Sequence, residues 1–227
     1  MKFRFYTVAL ALILLSGLRF SEAGEVIDRI VATVNGQIIL QSDWEEALRY
    51  EALVDQRSLD QVPIEDQKAA LDHLIDQELL REQMRAADFH HATEDEIATK
   101  ILDIRKQYPG ADSDPVWQSI LKRYSLTQGS LRARVASQVD LMRLVDARFR
   151  PSVNIDSKSI ESYYNREIVP QLRQSGAKEM PLAEAIPQIK EVLTQQKMNE
   201  LLVAWLQNLR SGSEIRTEPL DPRGSLQ

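Results

Sequence analysis

Asn35-Gly36, set between two β-branched runs, is the feature that most narrows what this chain can become. Val26-Ile-Asp-Arg-Ile-Val-Ala-Thr-Val34 precedes it and Gln37-Ile-Ile-Leu40 follows. The segment therefore reads as two antiparallel strands joined by a two-residue turn. The turn is expected to be type I′, with both central residues at positive φ. Ile30, Ala32 and Val34 share one face while Val31 lies on the other, so both faces should be partly covered. A lone hairpin is marginal in water, and something else must complete the sheet. Near the other end of the chain, Ser213-Glu-Ile-Arg-Thr217 reads as a short extended segment that can pair with it.

Between these ends the chain is helical in pattern. Ser42-Asp-Trp-Glu45 and Thr93-Glu-Asp-Glu96 have capping-box spacing. Asp114-Pro115 places a capping acid before a proline suited to the first helical position. Thr127 and Asp156 are further caps. The expected helices lie near 43–57, 64–88, 94–107, 115–124, 128–149 and 157–171. Leu71, Leu74, Ile75 and Leu79 form one apolar stripe, and Leu131, Val135, Val139, Met142, Val145 and Phe149 another. Arg150-Pro151 should end the helix that carries the second stripe. A long closing helix follows, with apolar positions from Ile186 to Leu209, Pro187 expected in its first turn and Gly212 as its stop. Residues 218–227, with two prolines and a glycine, read as a disordered tail.

The first residues have the layout of a secretory signal peptide: Lys2 and Arg4, then the apolar run Val8 to Leu15, then Ser21 and Ala23 before a cut at Gly24. A spanning helix needs about 20 apolar residues, and this run is followed by Arg19 and Glu22. The expectation is a signal over residues 1–23, export to the periplasm, and no lasting insertion in the membrane. The chain has no cysteine, so its fold cannot rest on disulfides and it has no thiol chemistry. With 34 acidic and 28 basic residues its formal charge is −6, which argues against nucleic acid as a partner.

Asp28-Arg-Ile-Val-Ala-Thr-Val-Asn-Gly-Gln-Ile-Ile-Leu-Gln-Ser-Asp43 resembles the opening of mature SurA-type periplasmic chaperones. The Arg150-Pro151 break, Asp156 to Tyr164, and Gln195 to Arg210 continue the likeness, the last as that family's closing helix. The resemblance implies a mainly α fold with a small sheet made from both ends of the chain, over residues 24–217 as one domain. It also implies a chaperone that holds unfolded or partly folded envelope polypeptides without a nucleotide. In that family parvulin-type prolyl isomerase domains are inserted before the closing helix. Here only the short stretch Asn165 to Met180 separates the two parts, too little for a compact domain of ~50 residues. The reading is therefore a chaperone core without isomerase activity. Prolyl isomerase and adaptor for a single envelope partner are the alternatives.

Chemistry-bearing clusters have ordinary readings. His90 and His91, beside Glu94 and Asp95, are adjacent in a connection and do not have metal-ligand spacing, so no metal is expected. Asp72, Asp76 and Glu78, like Glu94 to Glu96, fit the solvated side of amphipathic helices. No phosphate loop or nucleophile motif occurs, and no cofactor is expected. Peptide holding calls for exposed apolar and flexible side chains. The candidates are Tyr108, Trp117, Tyr124, Met142, Tyr163 and Tyr164. Each also fits a core position: Trp117, Ile120, Leu121 and Tyr124 recur at helical spacing, as one buried face would.

Overall fold

A computed structural model of the chain describes residues 28–85, 89–176 and 180–220. The expected signal at 1–23 and the final residues 221–227 lie outside them. Strands β1 (Ile30–Val34) and β2 (Gln37–Leu40) form the hairpin, with Asn35 at φ 50° and Gly36 at φ 84°, as a type I′ turn requires. β3 (Ile215–Thr217) pairs antiparallel with β1, which gives the sheet order β2-β1-β3. The imperfect alternation of the hairpin has a local cause. The β1–β2 register slips between Ile30 and Ala32, and Val31, the residue passed over, is fully buried.

The helices are α1 (Gln41–Val54), α2 (Ile64–Arg85), α3 (Glu94–Lys106), α4 (Asp114–Arg123), α5 (Gln128–Phe149), α6 (Ser157–Tyr163), α7 (Val169–Ser175) and α8 (Leu182–Ser211). Three caps form as expected. Thr93 Oγ1 accepts from the Glu96 amide at 3.4 Å, Thr127 Oγ1 from Ser130 at 2.9 Å, and Asp156 Oδ1 from Ser159 at 2.8 Å. Two caps differ. α1 starts earlier than expected, and Asp43, not Ser42, serves its first turn by accepting from the Leu40 amide at 3.0 Å. Ser42 instead donates its amide to Asp28 at 3.2 Å. Asp114 lies inside the first turn of α4, where its carboxylate accepts from Arg105 at 2.8 Å.

Two prolines redraw the last third. The helix expected over 157–171 runs to Ser175, but it opens into a π turn at Tyr164–Ile168 just before Pro170, whose ring cannot continue an α ladder. α8 begins at Leu182, so Pro187 sits inside it rather than in its first turn. Ala183, whose carbonyl loses its helical donor to Pro187, lies on the exposed side.

Three apolar clusters hold these elements. Val31, Val34 and Ile39 of the sheet meet Trp44 and Leu48 of α1 and Leu71, Ile75 and Leu79 of α2; Leu209, Ile215 and Leu220 close this cluster from the C-terminal end. Leu220 and the bond from the Glu218 amide to the Val31 carbonyl (2.9 Å) show that the tail's first residues lie on the sheet, contrary to the disorder expected from 218 onward. The second cluster joins Leu53 of α1 to α3, α4 and the first half of α5. The third is small, with Ile160 of α6 against Ala185 and Ile189 of α8.

Asn35 ties the two ends together. Its amide N–H donates to the Glu214 carbonyl at 2.9 Å, and its Oδ1 accepts from the Glu214 amide at 2.8 Å. Its Nδ2 reaches Glu82 of α2 at 2.8 Å and Ser213 at 3.1 Å. Asn35→Gly keeps the left-handed turn and deletes only the side-chain bonds, so urea denaturation should show a loss of about 1–3 kcal/mol. Asn35→Ala should lose about 1 kcal/mol more, because alanine is strained at positive φ. Equal stability of Asn35→Gly and the parent would show that these bonds do not close the sheet.

Candidate functional site

The apolar stripe of α5 changes partners along its length. Leu131 and Val135 are buried against α1, α3 and α4. Past Val139 those helices no longer cover it, and Met142 is 56 % exposed while Leu141 and Val145 are half-buried. α8 lies over this end of the stripe and brings Met198 and Leu202 to it, and Leu80 of α2 completes the apolar floor. The result is an open groove of about 880 Å³, walled on its remaining side by Phe89 and His90.

Polar contacts fix each wall. Arg143 donates to the carbonyls of His90 at 3.0 Å and His91 at 2.9 Å and pairs with Glu96. Asp140 accepts from the Ala92 amide at 2.6 Å, and its other oxygen lies 2.7 Å from His91 Nδ1. These bonds hold the connection 89–92 against α5. On the opposite side Arg150 donates twice to Glu191 of α8, at 3.0 and 3.1 Å, and once to Asp146 at 2.5 Å. Those carboxylates, Glu191 first, raise the Arg150 pKa, and Arg150 in turn lowers that of Glu191. Phe149 meets Trp205 edge to face at 5.6 Å, and the Arg148 guanidinium lies 4.2 Å from the Trp205 ring centre.

The six sequence candidates separate. Tyr108, Trp117 and Tyr124 are buried, Trp117 at 2 % exposure, and they form part of the second core cluster. The Tyr108 hydroxyl donates to the Leu53 carbonyl and lies 3.2 Å from that of Tyr124. Burial first, and Tyr124 second, raise its pKa. These three are core residues and offer no surface to a peptide, which corrects the expectation. Met142 lines the α5–α8 groove. Tyr163 lines a separate hollow of about 460 Å³ with Leu172 and Ile189. Tyr164 is half-buried and donates its hydroxyl to the Met180 carbonyl. Leu202, one of the closing-helix apolar positions, lines the groove half-buried, and Met198, which the sequence pattern did not single out, lines it at only 3 % exposure. The signal that could have marked them is the excess of apolar residues on α8 over what one helix face can bury.

Among the described residues no group of three or more histidines and carboxylates is placed to hold a metal ion. No described helix is long and apolar enough to cross a membrane. The groove instead suits reversible apolar contact, its floor made of methionine and leucine side chains and its rim of charges that, Lys100 apart, are engaged in ion pairs or hydrogen bonds.

Glu96 on this rim is a sensitive reporter of the wall. The Thr93 amide, then the Thr93 hydroxyl, then Arg143 bring its pKa down to about 2. A group whose folded pKa lies below its unfolded value of about 4.3 stabilises the fold above that value and loses the effect as pH falls through the folded pKa. Glu96→Gln should therefore be less stable than the parent at pH 7, and the gap should close between about pH 4.5 and 2. A gap that stays constant across that range in denaturant titrations would contradict the assigned contacts.

A search among curated proteins finds no match to this chain. The family described as SurA-like N-terminal domain matches residues 1–145, which takes in the hairpin, α1 to α4 and most of α5, including Met142 and Val145 of the groove. α8 and β3 lie beyond that span. With well over half of its length matched, and with the hairpin, helices and closing strand in place, the chain belongs to the family of SurA-like N-terminal domains.

Proposed function

We propose that this protein is an ATP-independent holding chaperone of the periplasm, which shelters unfolded envelope proteins, outer-membrane β-barrel precursors among them, in the α5–α8 groove. Family membership supports a chaperone-type role at the general level. The observation that carries the finer reading is Met142, exposed on a helix face whose earlier positions are core. Large exposed apolar side chains in a groove mark a surface that meets other molecules. Each apolar side chain of a client buried there contributes about 1.5–3 kcal/mol before ordering costs. Binding through a few such contacts is weak and reversible, as holding and release without nucleotide demand.

A denatured outer-membrane barrel protein diluted with the chain, no ATP present, should scatter less light at near-stoichiometric amounts. Met142→Asp places a charge in the groove at an exposed position, so the fold should keep its denaturation midpoint within about 0.5 kcal/mol of stability. The amount needed for half-suppression should rise by about tenfold, the loss of roughly 1.4 kcal/mol of binding. No suppression of any of several clients would overturn general holding and favour a dedicated partner.

A further inference from the structure

We infer that the α5–α8 groove takes client segments as amphipathic helices with acidic flanks rather than as extended strands. The inference rests on the proposed holding function and specifies the form of the bound segment.

An extended segment brings a row of unpaired N–H and C=O groups, and burying these against an apolar floor without partners is costly. Peptide sites that take strands meet this need with a free sheet edge or with free polar side chains along the walls. This groove has no sheet edge in its lining, and the polar lining side chains without a partner among the described residues, Lys100 and Asn199 among them, are too few to serve the row of groups a strand would bring. Two walls are helices, whose backbone bonds are internal. The one irregular wall is the connection at 89–92, where the carbonyls of His90 and His91 accept from Arg143 and the Ala92 amide donates to Asp140. Two of the lining amides are each engaged through one atom: Gln138 Oε1 accepts from the Tyr50 hydroxyl at 2.6 Å, and Gln195 Nε2 donates to Glu191 at 2.8 Å. A helix arrives with its backbone already satisfied and asks only for apolar contact.

The apolar geometry fits the same occupant. α5 presents Gln138, Met142 and Val145 to the groove, and α8 presents Gln195, Met198 and Leu202, both at i, i+3/i+4, i+7 spacing. Met198 is buried in the floor, so the open seam consists of exposed Met142 with half-buried Leu141, Val145 and Leu202, along which the apolar face of a third helix would lie. The wall from Gln138 to Arg150 runs ~18 Å, room for about three helical turns.

Charge selects the flank. The rim carboxylates Glu96 and Asp146 are held by Arg143 and Arg150. Lys100, an exposed cation lining the groove, has no carboxylate partner among the described residues. A bound helix with glutamates beside its apolar face complements that charge. Unfolded chains form such helical turns transiently, and the groove would capture them.

Two labelled peptides of equal composition, each of about fourteen residues, separate the possibilities. One carries leucines at i, i+3, i+4 and i+7 with flanking glutamates and a side-chain lactam that fixes the helix. The other alternates leucine with polar residues. Fluorescence anisotropy with the purified protein should give a dissociation constant about tenfold lower for the helical peptide. Met142→Asp should abolish that preference, and Lys100→Glu should weaken the acidic helix but not a glutamine-flanked version. Equal or tighter binding of the alternating peptide overturns the helical form while leaving the holding function intact. If neither peptide binds while denatured clients are still held, the inference also fails. If neither peptide binds and no client is held, the proposed function fails with it.

Discussion

The pairing of β3 with β1 is the contact on which the rest depends, because it joins residues almost two hundred positions apart in sequence. The hairpin alone would be marginal. With β3 added it becomes a three-stranded sheet that α1 and α2 can cover, and Asn35 bonds both the returning strand and α2. Closure also fixes one end of α8. Arg210 donates to Asp76 at 2.6 Å and to the Asp72 carbonyl at 3.0 Å, while further along Leu202 and Leu80 line the same groove, so α8 runs antiparallel to α2. A helix of about 45 Å anchored in this way extends past the end of α2 and crosses α5. The groove is a consequence: it forms where α8 crosses a helix that α1, α3 and α4 have ceased to cover.

Much of the fold was legible in the residues. The type I′ turn follows from Asn-Gly, three helix starts follow from Thr93, Thr127 and Asp156, and the returning strand from the extended segment after Gly212. What escaped was decided by neighbours remote in sequence or by backbone chemistry at single residues. Ser42 has the right identity for a cap but is taken by Asp28. Pro170 opens a π turn instead of ending the helix, since adding a residue to the turn relieves the clash. Leu220 leaves the tail for the core because the sheet offers it an apolar site.

The site was less legible than the fold, for a physical reason. Helical spacing tells which residues share a face but not how far along that face another element extends. Trp117 and Met142 sit on equally convincing stripes, and one is enclosed by α3 and α5 while the other lies where cover ends. Aromatic residues were favoured as peptide contacts, yet Tyr108, Trp117 and Tyr124 serve as the centre of a core. The groove's open apolar contacts are Met142, which is exposed, and Leu141, Val145 and Leu202, which are half-buried, while Met198 and Leu80 are buried in its floor.

The central claim is that unfolded polypeptide binds between α5 and α8. A photo-reactive benzoylphenylalanine placed singly at Met142, Val145 or Leu202, with Lys158 and Lys190 on exposed faces elsewhere as controls, tests it directly. Irradiation with a denatured barrel protein should give strong client cross-links from the three groove positions and only background from the controls. Cross-links of equal yield at all five positions, or none from the groove, would contradict the assignment.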